Sequence, residues 1–166
     1  MATDPAKILS PKVTLRDMID ADLSPFFEHQ LDREANVMAA FTADDPTDHD
    51  AFLAHWEKTR AMDTVLIRTI LYGQEVAGHI ASFFREGDLE VTYWIGREFW
   101  GKGIASAALV QFLEIQTQRP IFGRVAKDNH ASHRVLEKAG FSVFGEDKGF
   151  ANARGKETEE YIMKLG

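Results

Sequence analysis

The sequence predicts a single α/β domain over residues 1–166, with a mixed sheet of about six to seven strands flanked by about four helices. Three observations lead to this fold class. The chain is long enough for one hydrophobic core but short for two. Residues 64–95 contain three extended segments joined by short turns, which is typical of antiparallel strands. Residues 101–165 then alternate helical and extended patterns, as in a β-α-β unit.

The first part of the chain is predicted to be a strand followed by a helix. Residues 1–12 are expected to form a loose leader, and residues 13–16 a short strand. Asp20 or Asp22 is expected to cap the helix, because an Asp side chain accepts hydrogen bonds from the free amide groups at a helix start. The apolar residues of this helix recur at helical spacing: Leu23, Phe26, Phe27 and Leu31.

A turn-rich stretch over residues 39–46 separates the first helix from a second one. Thr47, with Asp50 three residues later, resembles a capping box and predicts the start of this second helix, which ends near Met62. Its apolar face consists of Phe52, Leu53 and Trp56.

The rest of the chain is predicted to form a meander and then a β-α-β unit. Three strands cover residues 64–72, 75–84 and 88–95. The elements that follow are a helix from Gly101 to about Thr117, a strand over 121–125, a helix over 129–139, a strand from Phe141, a loop over 146–157 and a last strand over 159–165.

The composition excludes several functional classes. The chain contains no cysteine, which rules out disulfides, a cysteine nucleophile and a thiolate metal site. A net charge of −7 argues against nucleic-acid binding through a basic surface. No stretch approaches the roughly 20 apolar residues of a membrane span, so we expect a cytoplasmic protein that does not bind membranes. His130 and His133 share a helix face without a third ligand nearby, so no metal site is predicted.

The glycine-containing turn after the third meander strand is the most informative segment. Gly101, Gly103 and Ala105 lie where a strand passes into a helix, and small residues there allow a phosphate group to approach the free amides of the helix start. The alternative is a tight turn that needs small residues for packing alone. A P-loop requires Gly-Lys-Ser/Thr at a spacing that the sequence lacks, and a dinucleotide fingerprint requires Gly or Ala where Ser106 stands.

Two motifs resemble those of the Gcn5-related N-acetyltransferases (GNAT). The segment Trp100-Gly101-Lys102-Gly103-Ile104-Ala105 resembles motif A of this family, and Asn129-His130-Ala131-Ser132 with the helix after it resembles motif B. Glu90-Val91-Thr92-Tyr93-Trp94 is similar to the Glu-x-Gly-Tyr-Trp of the branch that contains ribosomal-protein-alanine and spermidine acetyltransferases, with Thr92 in the glycine's place. The resemblance covers about residues 75–144.

The resemblance implies a GNAT fold and a reaction between acetyl-CoA, the cosubstrate, and an amine acceptor that the sequence does not identify. It implies that the strand before the glycine turn splays from its neighbour at a bulge and that the pantetheine arm binds there. The cofactor-binding residues carried over from the family pattern are Trp94, Ile95, Gly96, Arg97, Trp100, Gly101, Lys102, Gly103, Ile104, Ala105, Asn129 and Ser132. A homodimer is also expected by analogy with the family.

Two catalytic residues are expected, Glu90 and Ser132. An amine must lose a proton before or during attack, and Glu90 lies on the strand that leads to the cofactor turn. The alternative for Glu90 is an ion pair with Lys or Arg. Many family members place a tyrosine general acid where Leu136 stands, and the resemblance therefore assigns Ser132 the related task of holding the CoA sulfur. His79 is a secondary candidate for proton transfer.

Two other functions stay open alongside the acetyltransferase. One is an acyl-CoA binder of the same fold without activity, because the family tyrosine is missing. The other is a dinucleotide-dependent oxidoreductase. Asp128 is consistent with it, because dinucleotide-binding folds carry an acidic residue about 20 residues after the glycine turn, but the antiparallel strands predicted before that turn argue against it. The resemblance implies that the acceptor is a protein N-terminus or a small amine. The residues that could line its site are Phe26, Phe27, Phe41, Trp56 and the loop over 146–157.

Overall fold

The computed structural model describes residues 11–166, and most of the predicted leader, residues 1–12, lies outside them. The strands are β1 (Val13–Arg16), β2 (Leu66–Tyr72), β3 (Glu75–Arg85), β4 (Asp88–Ile95), β5 (Ile121–Ala126), β6 (Ser142–Ala151) and β7 (Lys156–Leu165). They form one seven-stranded sheet in the order β1-β2-β3-β4-β5-β7-β6. The α/β fold class and the strand number are confirmed.

Five α-helices accompany the sheet in the described part of the chain. They are α1 (Leu23–Gln30), α2 (Arg33–Ala39), α3 (His49–Arg60), α4 (Ile104–Ile115) and α5 (His130–Lys138). The sequence predicted four of them and placed no helix at α2. This helix is short and its buried residues, Ala35 and Asn36, give no amphipathic pattern; it starts where the Asp32 side chain accepts a hydrogen bond from the Ala35 amide.

All neighbouring strands run antiparallel except β4 and β5, which are parallel. Within the described residues β4 and β5 are paired at a single register position, Glu90 opposite Phe122. On its other side β4 stays in regular register with β3 from Asp88 to Ile95, so the predicted bulge is wrong although the predicted divergence is confirmed. The antiparallel pairing of β1 to β4 also excludes a dinucleotide-binding fold, whose sheet is mostly parallel.

The sheet separates two hydrophobic clusters. The larger one joins α4 and α5 to one face of the sheet and contains Leu89 and Val91 of β4. The smaller one lies around Phe26, Phe52 and Trp56 of helices α1 and α3. Because side chains alternate along a strand, Glu90, Thr92 and Trp94 point away from the larger cluster, as the period of two predicts.

Asp22 is buried beneath the first helix and does not cap it. Its carboxylate accepts hydrogen bonds from both terminal nitrogens of Arg16 at 2.8 Å, from Thr69 Oγ1 at 2.7 Å and from the Ile19 amide at 3.0 Å. Burial alone would raise the pKa of Asp22, but these hydrogen bonds outweigh it and hold the pKa below its ordinary value. The group therefore ties β1 and β2 to the turn before α1.

Two other local predictions are wrong. Helix α3 is capped by Asp48, whose side chain accepts a hydrogen bond from the Ala51 amide at 3.0 Å, whereas Thr47 donates to Asp45. The predicted loop over 146–157 is mostly strand, because β6 and β7 form a hairpin that turns only after Ala151. Strand β6 lies at the sheet edge and is largely exposed on both faces, so its polar sequence resembles a loop.

Replacing Asp22 by Asn is expected to lower the free energy of unfolding by roughly 2 to 4 kcal/mol at pH 7, because it removes a buried charge that Arg16 and Thr69 satisfy. Chemical denaturation measures the loss. The folded pKa is depressed, so the stabilisation is complete above the unfolded pKa of about 3.9 and disappears as the pH falls through the folded value. The difference in the free energy of unfolding between the wild type and Asp22→Asn should therefore become smaller in acid.

Asp20 provides the matched control for this prediction. It lies two residues away and pairs with Arg60 at 2.7 Å, but its side chain is 89% exposed. Asp20→Asn should cost much less because exposed ion pairs contribute little. Equal losses for the two variants would show that the Asp22 cluster does not stabilise the fold as described.

Candidate functional site

The divergence of β4 and β5 opens a cleft of about 800 Å³. Residues of β4 from Glu90 to Ile95 line one side of it, and β5 and α5 line the other. The cleft reaches from the start of α4 at one end to Glu90 and Arg124 at the other. Parallel neighbours that separate in this way leave main-chain groups of β4 without a strand partner on that side.

The glycine turn places the free end of α4 at one end of the cleft. Gly101 and Gly103 have φ of 76° and 75°, a left-handed conformation that glycine adopts without strain. A Cβ atom added at either position would meet nothing within 4 Å, so both glycines face open space. In the first hydrogen bond of α4 the Ala107 amide donates to the Gly103 carbonyl. The three helical amides before Ala107 therefore remain available to an anion.

Most of the predicted cofactor residues come together in this cleft, but three do not line it. Lys102 is exposed outside it, and Arg97 forms ion pairs with Asp32, at 3.6 Å, and with Glu34. The guanidinium of Arg97 therefore holds the start of α2. The residues that do line the cleft are Trp94, Ile95, Trp100, Gly101, Gly103, Ile104, Ala105, Asn129 and Ser132.

Gly96 is the third predicted cofactor residue that does not line the cleft, and it has a packing role. A Cβ atom at Gly96 would lie 2.5 Å from Nε2 of the buried His29, so a larger residue there would displace the His29 ring. Its amide donates to the Ala77 carbonyl at 2.8 Å. Nearby, the Trp100 indole donates to the Ile95 carbonyl at 2.9 Å and holds the glycine turn against the strand.

Asn129 caps α5 and also contacts α2. Its side-chain oxygen accepts a hydrogen bond from the Ser132 amide at 3.2 Å, and its side-chain nitrogen donates to the Met38 carbonyl at 3.3 Å. A side-chain amide has two N–H groups, so one donor of Asn129 remains for a ligand in the cleft. The cap fixes the first turn of α5 and with it the position of Ser132.

Ser132 has a partner that the sequence did not indicate. Its hydroxyl lies 2.6 Å from the hydroxyl of Tyr93, which stands on β4 beyond the point of divergence. Burial raises the pKa of Tyr93 to about 12, although the hydrogen bond with Ser132 opposes the rise. Leu136, in the position of the family tyrosine, is buried with 2% exposure and offers no hydroxyl. Tyr93 was missed because its partner lies far away along the chain.

Glu90 lies at the other end of the cleft within a network of charges. Its side chain is buried, and one carboxylate oxygen lies 3.3 Å from Arg124 Nε and 3.5 Å from Arg85 Nε. Arg124 also contacts Glu160 at 2.8 Å and Asp147 at 3.0 Å. The structure therefore shows for Glu90 the ion pair that was the alternative to a base, and does not show an apolar setting.

Burial alone would lower the pKa of Arg124, but its hydrogen bonds to Glu160 and Asp147 and the charge of Glu90 raise the pKa above the usual value. Three carboxylates thus surround two guanidinium groups, those of Arg85 and Arg124. The network carries one net negative charge, which favours a cationic group at this end of the cleft.

His79 and most of the aromatic candidates lie outside the large cleft. The ring of His79 packs against Phe26 and Trp56 with centroid distances of 4.8 and 4.9 Å. These three residues line a separate cavity of about 110 Å³ that also contacts Trp94. Burial, with His29 and His55 nearby, lowers the pKa of His79 to about 3, so the imidazole is neutral at physiological pH. Of the aromatic candidates, Phe41 lines the large cleft.

Over residues 11–166, none of the helices has the length and apolar character needed to span a bilayer. The same residues contain no group of three or more His, Asp or Glu side chains arranged to hold a metal ion.

Comparison with known proteins agrees with this geometry. The family model described as an acetyltransferase (GNAT) domain matches residues 12–142. A search of curated protein sequences gave no significant match.

Among solved structures, spermidine N-acetyltransferase from Vibrio cholerae, in complex with CoA and spermine, has a TM-score of 0.78 at 19% identity, over 92% of this chain and 94% of that one. Mycobacterium smegmatis RimJ, in complex with CoA-disulfide, has a TM-score of 0.77 at 20% identity, over 92% and 81% of the two chains. Ribosomal-protein-alanine N-acetyltransferase from Brucella melitensis has a TM-score of 0.77 at 19% identity, over 92% and 98%. At such identities the likeness establishes the fold.

Replacing Arg124 by Met is expected to lower the free energy of unfolding by roughly 3 kcal/mol at pH 7, because the buried carboxylates of Glu90 and Glu160 lose their shared counter-ion. Chemical denaturation measures the loss.

Arg85→Met is the control for this variant. Arg85 contacts Glu90 at 3.5 Å, and its side chain is 49% exposed, so the loss should stay below about 1 kcal/mol. An Arg124 variant as stable as the Arg85 variant would contradict the view that Arg124 holds this end of the cleft together.

Proposed function

The chain belongs to the GNAT acetyltransferase family, and on that premise we propose that it moves the acetyl group of acetyl-CoA onto a primary amine. The observation that carries this proposal is the opening between β4 and β5, which leads directly to the free amides at the start of α4. An anion binds at the helix start, and an extended chain attached to that anion can follow the unpaired side of β4.

In this proposal the diphosphate of CoA binds the amides around Gly101 and Gly103 and those of Ile104 and Ala105. Support comes from the positive φ of both glycines and from the open space in front of them. The positive end of the α4 dipole favours the same charge. The pantetheine arm then lies along β4 at Trp94 and Ile95, where amide groups can stabilise the oxyanion formed from the thioester by a few kcal/mol.

The acceptor amine enters at the end of the cleft that holds Glu90. There the net negative charge of the network attracts an ammonium group, which must lose a proton before it attacks. We assign Glu90 as the acceptor of that proton, either directly or through a water molecule. As the C–N bond forms, the C–S bond breaks, and its electron pair leaves with the CoA sulfur beside Ser132.

The class of amine follows from the same end of the cleft. The side chains of Met38, Phe41 and Phe83 also line the cleft, which suits an amine attached to an apolar or aliphatic chain. A polyamine and a protein or peptide N-terminus both fit this description. We further propose that residues 1–166 act as one domain in the cytoplasm, where a homodimer is an expectation from family analogy.

A second candidate function is an acyl-CoA binder of this fold without transferase activity. The ion pairs of Glu90 favour it, because a carboxylate held by Arg85 and Arg124 must exchange those contacts to receive a proton. Leu136 in place of the family tyrosine favours it as well. Thermal stabilisation by acetyl-CoA without turnover of any amine would support this function over the transferase.

Gly103→Val is expected to weaken CoA binding at least about tenfold, because the added side chain fills the space in front of the α4 amides. Isothermal titration calorimetry measures the affinity. Gly155→Val is the matched control: this glycine also has a positive φ, 65°, and open space around it, but it lies in the β6–β7 turn. The two substitutions carry similar backbone strain, so equal CoA affinities would remove the glycine turn from the site.

Release of free CoA thiol from acetyl-CoA, measured over N-terminal peptides, polyamines, amino acids and aminoglycosides, tests the transferase itself. With the best amine of this panel, Glu90→Gln should reduce kcat about a hundredfold, because the proton acceptor is lost. Glu160→Gln is the control, since it removes another carboxylate from Arg124 and should retain most of the turnover. If Glu90→Gln turns over like the wild type, Glu90 is not the base.

A further inference from the structure

The phenol of Tyr93 is a buried polar group without a task in the reaction described so far. Its oxygen lies 2.6 Å from Ser132 Oγ and 3.4 Å from the Ser132 carbonyl oxygen. Tyr93 belongs to β4 and Ser132 to the first turn of α5, and both residues line the cleft. The contact therefore joins the two walls of the cleft beyond the point where β4 and β5 separate.

The position of Ser132 is set from two sides. The Asn129 cap holds its main chain through the hydrogen bond from the Ser132 amide, at 3.2 Å. Tyr93 holds its hydroxyl oxygen. With both contacts in place, the one remaining freedom of the serine side chain is the direction of its own O–H bond.

At the distance between the two hydroxyls either one can be the donor. Because a phenol is more acidic than an aliphatic alcohol, the arrangement in which Tyr93 donates and Ser132 Oγ accepts is the favoured one. Burial raises the pKa of Tyr93 to about 12, so the phenol keeps its proton at neutral pH. The serine proton is then free to point into the cleft.

We propose that Tyr93 is a positioning residue that, by donating to Ser132 Oγ, turns the serine O–H toward the sulfur of CoA and so stabilises the departing thiolate. This inference rests on the proposed acetyl transfer. No proton passes from Tyr93 or Ser132 to sulfur: the C–S electron pair remains on the thiolate, which accepts a hydrogen bond from Ser132 and later takes a proton from solvent. The serine thus partly replaces the tyrosine missing at Leu136.

The pKa of the CoA thiol bound to the protein tests this arrangement without any acceptor amine. Ultraviolet absorbance of the thiolate during a pH titration gives that pKa for the wild type, Tyr93→Phe, Ser132→Ala and the double variant. A hydrogen bond to the thiolate lowers the thiol pKa, so Tyr93→Phe should raise it by about 0.5 to 1 unit. In the Ser132→Ala background, Tyr93→Phe should cause no further rise, because its effect passes through the serine.

Two outcomes would overturn the inference. One is an unchanged thiol pKa in Tyr93→Phe, and the other is an additive rise in the double variant, which would mean that the phenol acts by packing. Tyr161→Phe is the control, because Tyr161 packs against His133 on the same helix, at a centroid distance of 5.3 Å, and should leave the thiol pKa unchanged.

Kinetics with the best amine of the panel supply a second readout. Tyr93→Phe should lower kcat with little change in the KM for acetyl-CoA, and a rise in that KM alone would contradict the proposal. If the wild type fails to bind CoA, the proposed function fails and this inference fails with it. If CoA binds and the thiol pKa does not respond to Tyr93→Phe, the inference alone fails.

Discussion

The structure depends on one feature, the loss of pairing between β4 and β5 after Glu90 and Phe122. Because these two strands are parallel, the chain must cross between them through a helix, and the start of that helix lies at the carboxyl end of β4. The opening in the sheet and the free amides of α4 are therefore neighbours by topology. A cleft with free helix amides at one end follows from the fold before any particular side chain is considered.

The separation of β4 and β5 opens the middle of the sheet, and ion pairs connect the strands beside this opening. Arg124 on β5 joins Glu90 of β4 to Glu160 of β7 and Asp147 of β6 at the closed end of the opening. Along the cleft, hydrogen bonds from two other parts of the chain hold α2 in place. Its Met38 carbonyl accepts from Asn129, and its Val37 carbonyl accepts a hydrogen bond at 2.8 Å from Arg154, in the β6–β7 turn.

Most local elements of this fold could be predicted from the sequence, apart from the short helix α2 and the full length of the β6–β7 hairpin. The contacts between distant residues could not be predicted. The meander follows from alternation, and the glycine turn follows from residues that permit a positive φ. Asp20 or Asp22 was predicted as a cap because Asp before a helix usually is one, but the Asp22 side chain binds Thr69, which lies 47 residues away. The ion pair of Glu90 with Arg124 and the Tyr93–Ser132 contact span 34 and 39 residues, so only the folded sheet brings these groups together.

The central claim is that CoA occupies the opening between β4 and β5 with its diphosphate on the α4 amides. Amide hydrogen exchange with and without CoA tests it most directly, because it reports on the main-chain groups themselves. The account predicts that CoA increases protection most strongly at residues 93–96 and 101–106. Protection that is strongest elsewhere, for example around the smaller cavity at Trp56 and His79, would contradict it.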